Sequence, residues 1–355
     1  MQLTVAIQPD DYTNHSVAHE FDSSSYLWAK YLKCAGHKVR WVNAYQSDIV
    51  QQLKGCDGFM WRWGHCEGMY RIARRILPIV EDYLKIAAYP NRATCWHYDD
   101  KISQAMLFET MSIPTPKTWV FFCAKEAVAW AKDAEYPLVA KLATGAGSSN
   151  VKLIEEFNVA KFHIERMFSA WNHEISLKRE SFLNDRFIAS LRVLWQGRAL
   201  LDFRNEEPQR GYVYFQEFQK GNAFDTRVTV IGNRAFAFRR WVRNGDFRAS
   251  GSGQISYDKD EIDIRFVELA FETAGKLAAQ SLAMDGFYSN EGTPVIGEIS
   301  YAYSSWAIRN CPGHWEASAA TEGADVHWVA GQMWPEEAQV TDFVRVLESS
   351  KRMGC

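Results

Sequence analysis

A lysine placed directly before a run of small residues is the first feature of this sequence that could do chemistry. Lys141 ends the apolar run 137–140, and GAGSS at 145–149 is followed by a second apolar segment at 151–154. Such a loop offers unobstructed backbone N–H groups and the lysine adds a point charge, so the unit could bind phosphate. Because the lysine precedes the glycines, the segment is not a P-loop. A plain hairpin with a lysine at its strand end is the alternative.

Two later segments supply further parts that a nucleotide site needs. Residues 214–218, YFQEF, read as a strand that ends before Gly221 and presents consecutive backbone groups suited to the edge of adenine. Arg240, Arg243 and Arg248 then follow within nine residues. A guanidinium group can donate two parallel hydrogen bonds to the oxygens of one phosphate or carboxylate. A run of arginines can equally be a solvated edge.

Two carboxylates are placed to hold a hard cation. Asp285 precedes and Glu298 ends a predicted hairpin over 286–300, turned at 290–292. Carboxylates that meet across adjacent strands give the oxygen ligands that Mg²⁺ takes together with nucleotide phosphates. Glu298 lies in an apolar strand, where an unpaired charge is costly to bury, and this favours a metal role over a solvated strand end. For Asp285 a turn cap is the alternative.

Other polar residues have plain structural interpretations. Asp225 and Arg227 are two residues apart, so they would share one strand face and could pair with each other. The run 61–65, WRWGH, follows the third predicted strand, where an open α/β domain binds its ligand. We favour a buried aromatic corner for this run.

Taken in order, these parts resemble the ATP-grasp superfamily, and most closely its RimK-type carboxylate-amine ligases. The resemblance runs from about residue 91 to residue 300. The matching motifs are Asp100-Lys101, PLVAK at 137–141 with GAGSSNV at 145–151, QEF at 216–218, DTR at 225–227, Arg240 eight residues before Arg248 in GDFRAS, and GEIS at 297–300. Ser300 stands where the family has asparagine, and Arg-Ala-Ser stands where it has Arg-Ser-Asn.

The resemblance assigns roles to individual residues. It implies that Arg240, Arg248 and Lys141 are catalytic. It implies a nucleotide site formed by Lys101, Lys141, Gly145, Ser148, Gln216, Glu217, Phe218, Asp225, Arg248 and Ser250, with the glycine loop as a lid. It implies Mg²⁺ ligands at Asp285, Glu298 and Ser300, with one of two ions held more loosely because serine replaces asparagine.

The activity that the resemblance implies is ATP-dependent ligation. ATP phosphorylates a carboxylate, and an amine then attacks the acyl phosphate to give an amide, ADP and phosphate. The cofactors would be ATP and Mg²⁺, and the substrates a small-molecule carboxylate and amine that are amino acids, peptides or sugar-containing. A small-molecule kinase and a non-catalytic ATP-binding switch are the alternatives. No residue stands out as a general base.

The elements that must position these residues begin with an α/β alternation. Strand patterns at 3–7, 39–42, 58–61 and 87–89 alternate with helical patterns at 23–35, 46–54 and 67–86, the last interrupted by Pro78. This predicts an open parallel sheet over 1–90 in front of an ATP-grasp fold of two α+β subdomains that clasp the nucleotide. The subdomains would span 91–210, with a linker helix and a helical insertion at 157–195, and 211–355, with the metal site.

Further patterns complete the second subdomain. A hairpin over 226–242 is turned at Gly232-Asn233, and a long helix is predicted over 260–282. Residues 314–316 follow the metal strand and either border the acceptor substrate or form a loop without a role, and 336–348 read as a terminal helix.

Composition restricts the partners. The hydrophobic fraction of 47% is that of an ordinary globular protein, and a net charge of -3 gives no sign of a nucleic-acid partner. With no signal sequence and no long apolar segment, we expect a cytoplasmic protein without a membrane span, and leave a homodimer open.

Seven cysteines without a CxxC pair argue against zinc. The 14 tryptophans could add a stacking surface for a sugar or a base.

Overall fold

Strands organise the described part of the chain into three sheets. The structure, a computed structural model, describes residues 1–10, 23–64, 67–145, 150–169, 209–243, 253–318 and 325–353. Among these residues, no helix combines the length and the apolar character needed to cross a membrane.

The N-terminal sheet is parallel, which confirms the predicted open α/β arrangement. Its strands are β1 (Thr4–Ile7), β2 (Lys38–Trp41), β3 (Gly58–Met60) and β4 (Ala87–Tyr89), in the order β2-β1-β3-β4. The helices between them are α1 (Ser24–Cys34), α2 (Ile49–Leu53) and α3 (Glu67–Pro78), and α3 continues as a π-helix over Ile79–Tyr83. The change of helix type follows Pro78, which has no N–H for the α-helical hydrogen bond.

Two short helices, α4 (Arg92–Cys95) and α5 (Lys101–Thr110), lead to the second sheet. Asp100 caps α5, since its Oδ1 accepts hydrogen bonds from the N–H groups of Ile102 at 3.1 Å and Ser103 at 3.0 Å. This cap satisfies free N–H groups of the first turn. It thereby fixes the position of Lys101, the first residue of the helix.

The second sheet is antiparallel and contains the lysine of the glycine loop. Its strands are β5 (Thr118–Phe121), β6 (Leu138–Lys141), β7 (Val151–Ile154) and β8 (Val213–Glu217), in the order β5-β8-β6-β7. Helices α6 (Ala124–Ala131) and α7 (Phe157–Phe168) contribute to the same hydrophobic core. Lys141 ends β6 after three buried residues, as predicted.

The third sheet has seven strands. They are β9 (Phe224–Ile231), β10 (Arg234–Trp241), β11 (Ile255–Ser256), β12 (Ser281–Tyr288), β13 (Pro294–Ser300), β14 (Gly313–Ala317) and β15 (Val326–Ala330). The order is β13-β12-β9-β10-β14-β15, with β11 beside β10. Helix α8 (Ile264–Lys276) packs on one face, and α9 (Ser305–Arg309) follows β13. The predicted hairpin around Gly232 is confirmed as β9 and β10.

One prediction and one alternative for this sheet are wrong. The helix expected over 260–282 is shorter, because Ala278 has a φ of 48° that ends it, and 281–288 form β12. Residues 314–316, for which a loop without a role is one alternative, lie in β14 and pair with both β10 and β15. Alternating patterns this short depend on pairing partners that are distant in sequence.

The last helix, α10 (Pro335–Met353), returns to the N-terminal sheet. Phe343 and Leu347 share a buried core with Leu3, Val5 and Trp28. The two ends of the chain therefore build one hydrophobic core.

Candidate functional site

A cavity of about 340 Å³ lies where the second and third sheets meet helix α5. Ten of the predicted site residues line it: Lys101, Lys141, Gly145, Gln216, Glu217, Phe218, Asp225, Asp285, Glu298 and Ser300. Ser148, Arg248 and Ser250 lie outside the described residues. Residues more than a hundred positions apart are thus brought to one cavity of a size common for small-molecule sites.

Lys101 connects the helix, the glycine loop and the third sheet. Its Nζ lies 3.1 Å from Oε1 of Glu298, and it donates a hydrogen bond to the carbonyl of Gly145 at 3.1 Å. The N–H of Gly145 donates in turn to Oδ1 of Asp99 at 2.8 Å. The lysine side chain is only 7% exposed, so its charge is directed into the cavity rather than to solvent.

Lys141 is held by a side chain of the neighbouring strand. Its Nζ donates to Oε1 of Gln216 at 2.7 Å, and Nε2 of Gln216 donates to Oγ1 of Thr118 at 3.0 Å. The pKa of Lys141 is lowered to about 8, chiefly by burial and also by the charge of Lys101, while Glu298 and Asp285 partly oppose the shift. The side chain of Gln216 thus orients a lysine, while the adjoining Glu217 and Phe218 line the cavity.

Four charged side chains form a chain of ion pairs, the charge quartet, made of Arg227, Asp285, Arg240 and Asp225. Arg227 donates to both oxygens of Asp285 at 2.6 Å. Arg240 donates to both oxygens of Asp225 at 2.7 and 2.6 Å, and its Nη2 lies 2.8 Å from Oδ2 of Asp285. Burial alone would raise the pKa of Asp285, but the two guanidinium groups outweigh it and hold that pKa well below its ordinary value.

Strand register explains the charge quartet. Arg227 lies opposite Asp285 on β12, and Asp225 lies opposite Arg240 on β10. The four side chains therefore meet on one face of three adjacent strands. The expectation that Asp225 and Arg227 pair with each other is wrong, because each finds its partner across the sheet. Arg240 does not itself line the cavity. It forms an ion pair with Asp285, which does line it.

Arg227 lines the cavity but is absent from the predicted site set. The signal that could have found it is its position in the DTR motif, two residues after Asp225. Strand geometry places residues two apart on the same face, so a site role for Asp225 implies the same surroundings for Arg227.

The residues predicted to hold a metal lie together. Asp285 and Glu298 are paired in the register of β12 and β13, and Ser300 lies two residues further along β13. Across the described ranges, no group of three or more His, Cys, Asp or Glu side chains could hold a metal ion, so no zinc-type cluster is found there. Two carboxylates fit Mg²⁺, which typically takes one or two protein carboxylates and completes its shell with water and phosphate oxygens.

Part of the lining of the cavity is apolar. Val139, Val151, Phe287 and Ile299 contribute to it. A Cβ at Gly297 would lie 2.6 Å from Cε1 of Phe287, which is closer than carbon atoms can pack. The absence of a side chain at Gly297 is therefore what allows the phenyl ring to lie against β13, where a flat apolar group such as a base could stack on it.

No protein-family model and no curated protein matches the chain. Solved structures do resemble it over nearly its whole length. A RimK-domain ATP-grasp protein from Sphaerobacter thermophilus is 14% identical with a TM-score of 0.52, covering 96% of this chain and 98% of that one. The ATP-grasp ligase PsnB, solved with a minimal precursor, is 12% identical with a TM-score of 0.56, covering 97% and 99%.

D-alanine–D-alanine ligase from Bacillus anthracis, solved with ATP, is a third similar structure. It is 11% identical with a TM-score of 0.51, and the match covers 99% of each chain. At such identities the likeness shows the fold alone. The chain has the ATP-grasp fold, which confirms the fold that the motifs predicted.

Proposed function

We propose that this protein is an ATP- and Mg²⁺-dependent ligase that joins a carboxylate to an amine through an acyl phosphate. The observation that carries the proposal is the convergence of charge on one cavity. Lys101, Lys141 and Arg227 line it together with Asp285 and Glu298. A triphosphate with a divalent cation needs this mixture, because cations must neutralise phosphate oxygens while carboxylates hold the metal.

The side chains divide the work of phosphoryl transfer. Lys101 and Lys141 would bind phosphate oxygens, and the glycine-rich segment that begins at Gly145 would add backbone N–H donors. Asp285 and Glu298 would hold Mg²⁺, and the ion would supply positive charge that neutralises the phosphate oxygens. Arg240, anchored by Asp225, would steady the acyl phosphate, and Ser148, Arg248 and Ser250, which lie outside the described residues, would complete the phosphate site.

The nucleotide base would occupy the apolar part of the cavity. The backbone around Glu217 and Phe218 would meet the adenine edge, and the ring of Phe287 offers a stacking surface. Gln216 would act by holding Lys141, to which its side chain is bonded at 2.7 Å.

Two of the similar structures support the substrate class. One is a D-alanine–D-alanine ligase with ATP, and another is PsnB with a minimal precursor, Mg and ADP. For this chain we propose a carboxylate and an amine that are amino acids, peptides or sugar-containing compounds.

A phosphate-release screen over pairs of carboxylates and amines, with mass spectrometry of the products, tests the proposal. We expect a pair that releases phosphate only when both partners are present and yields their amide. A phosphorylated product without amide would show a kinase, and nucleotide binding with no turnover for any pair would show a switch protein.

The variant Glu298→Gln tests the proposed metal site in the same screen. Removing one carboxylate of the metal pair should abolish phosphate release while changing the side-chain volume little. Unchanged turnover in this variant would overturn the assignment of Glu298 as a metal ligand.

A further inference from the structure

The side chain of Gln104 connects the helix that carries Lys101 to the strand that carries Glu298. Gln104 lies one helical turn after Lys101 on α5 and is only 3% exposed. Its Nε2 donates to the carbonyl of Ile299 at 2.9 Å, and its Oε1 accepts from the N–H of Ile299 at 3.2 Å. The same Nε2 donates to the carbonyl of His97 at 3.1 Å.

The hydrogen bonds to Ile299 satisfy backbone N–H and C=O groups that have no partner within the sheet. Strand β13 is an edge strand of the third sheet, and an edge leaves alternate N–H and C=O groups unpaired. The amide of Gln104 takes the place of a neighbouring strand at Ile299, between Glu298 and Ser300. Further along the same edge, Ile296 is covered instead by the carbonyl of Pro114 and the hydroxyl of Thr115.

This contact needs a side chain that both donates and accepts hydrogen bonds. Gln has a carbonyl oxygen that accepts and an NH₂ group that donates two hydrogen bonds, whereas ionised Glu only accepts and Met does neither. The two bonds to Ile299 hold α5 and β13 at a fixed separation, and the bond to His97 fixes the side chain of Gln104 in place. That separation sets the 3.1 Å distance between Nζ of Lys101 and Oε1 of Glu298.

We propose that Gln104 is a positioning residue that keeps the proposed phosphate lysine and the proposed metal carboxylate in register. The inference rests on the proposed function, because it takes Lys101 and Glu298 as ligands of phosphate and metal. Without Gln104, the edge of β13 at Ile299 is free to shift, and Glu298 moves with it. The amide of Gln104 therefore acts through Glu298 and does not itself touch the nucleotide.

The test measures the dissociation constant of ADP by calorimetry, once in EDTA and once in saturating Mg²⁺. The ratio of the constant in EDTA to the constant in Mg²⁺ is called the Mg²⁺ enhancement. In Gln104→Met, the enhancement should fall by about tenfold, the usual effect of removing a group that orients a metal ligand. The matched control is Thr115→Val, which removes a 2.9 Å hydrogen bond to the same edge strand at Ile296. This control should keep the wild-type enhancement.

A second variant separates positioning from simple loss of packing. In Gln104→Glu, the ionised carboxylate at about pH 8 lacks a donor, whereas the protonated acid at about pH 5.5 both donates and accepts, since burial raises a carboxyl pKa. We expect its Mg²⁺ enhancement, relative to wild type at each pH, to recover as the pH is lowered.

Three results overturn the role of Gln104: a wild-type enhancement in Gln104→Met, an equal loss in Thr115→Val, or no recovery in Gln104→Glu. A wild-type protein that binds ADP equally with and without Mg²⁺ would instead overturn the proposed metal site itself, and this inference with it.

Discussion

The ammonium group of Lys141 lies near a second lysine and two carboxylates, and burial lowers its pKa to about 8. Bound phosphate favours the protonated amine and so raises that pKa. The affinity for ADP should therefore be constant below pH 8 and fall as the pH rises through about 8, by at most tenfold per pH unit. Calorimetric titrations between about pH 7 and pH 9.5, below the ordinary lysine pKa of about 10.4, measure this fall.

Lys141→Arg is the control for this prediction, because a guanidinium group keeps its proton throughout that range. Its ADP affinity should vary much less with pH than that of the wild type. An equally steep fall in both proteins would assign the pH dependence to another group.

Asp225 is expected to act through Arg240 rather than on the nucleotide. In Asp225→Asn the bidentate acceptor of Arg240 is lost and a buried charge is left with one partner, Asp285. Because breaking a buried ion pair costs about 3 kcal/mol or more, the free energy of unfolding should fall by about that amount. Turnover should fall more than ADP affinity does, since the arginine rather than the phosphate lysines is displaced.

Urea denaturation and ADP titration of Asp225→Asn measure both effects. The matched control is Asp263→Asn, which alters a bidentate pair with Arg265 whose arginine side chain is 52% exposed. Asparagine also caps a helix well, so this variant should lose much less stability. Equal losses of stability in the two variants would show that burial does not make the ion pairs of the charge quartet more stabilising than an exposed pair.

The partners of the site residues were harder to predict than the residues themselves. Motif spacing pointed to Lys101, Lys141, Asp285 and Glu298, which line one cavity. It could not indicate that Arg227 holds Asp285, or that Gln216 holds Lys141. Those contacts depend on which strands are neighbours and in what register, and no local spacing encodes either.

At the scale of helices and strands, local signals predicted the elements with strong boundaries. The turn at Gly232 is where its residue type predicts it. The end of α8 was missed because the residues after it are apolar in either a helix or a strand. They become β12 through pairing with β9 and β13, which lie on either side of it.

Gly297 offers a test of how closely β12 and β13 must approach. In Gly297→Ala, the new methyl group would lie 2.6 Å from Cε1 of Phe287 and push the ring into the cavity. Overpacking of this kind lowers folding stability by about 1–3 kcal/mol. Because the displaced ring would occupy part of the proposed base site, the Kd for ADP should also rise. Calorimetric titration of ADP in Mg²⁺ measures the change.

A second substitution can relieve the clash. The double variant Gly297→Ala with Phe287→Leu should bind ADP more tightly than Gly297→Ala alone, because the smaller side chain makes room for the methyl group. Phe287→Leu alone supplies the reference for the lost ring. Losses that simply add would show that Gly297 and Phe287 do not act through each other.

At the scale of the whole molecule, the two ends of the chain stabilise one another. Phe343 of α10 is fully buried against the N-terminal sheet, and a Cβ at Gly58 would lie 2.8 Å from its Cε1. Trp28 of α1 donates from its indole nitrogen to Oε1 of Gln339 at 2.6 Å. The sequence predicted a helix here but not its location, because its apolar face fits any complementary surface.

This arrangement predicts that the N-terminal sheet unfolds together with the ATP-grasp sheets. Phe343→Ala should lower the free energy of unfolding by about 3–5 kcal/mol, the usual cost of removing a buried phenyl ring. Tryptophan fluorescence and far-UV circular dichroism should still report one coincident urea transition, and ADP with Mg²⁺ should raise its midpoint, since binding stabilises the whole cooperative unit. Val346→Ala, on the same helix and 38% exposed, should change stability little. An early transition in Phe343→Ala that ADP does not shift would show that the N-terminal sheet unfolds independently of the nucleotide site.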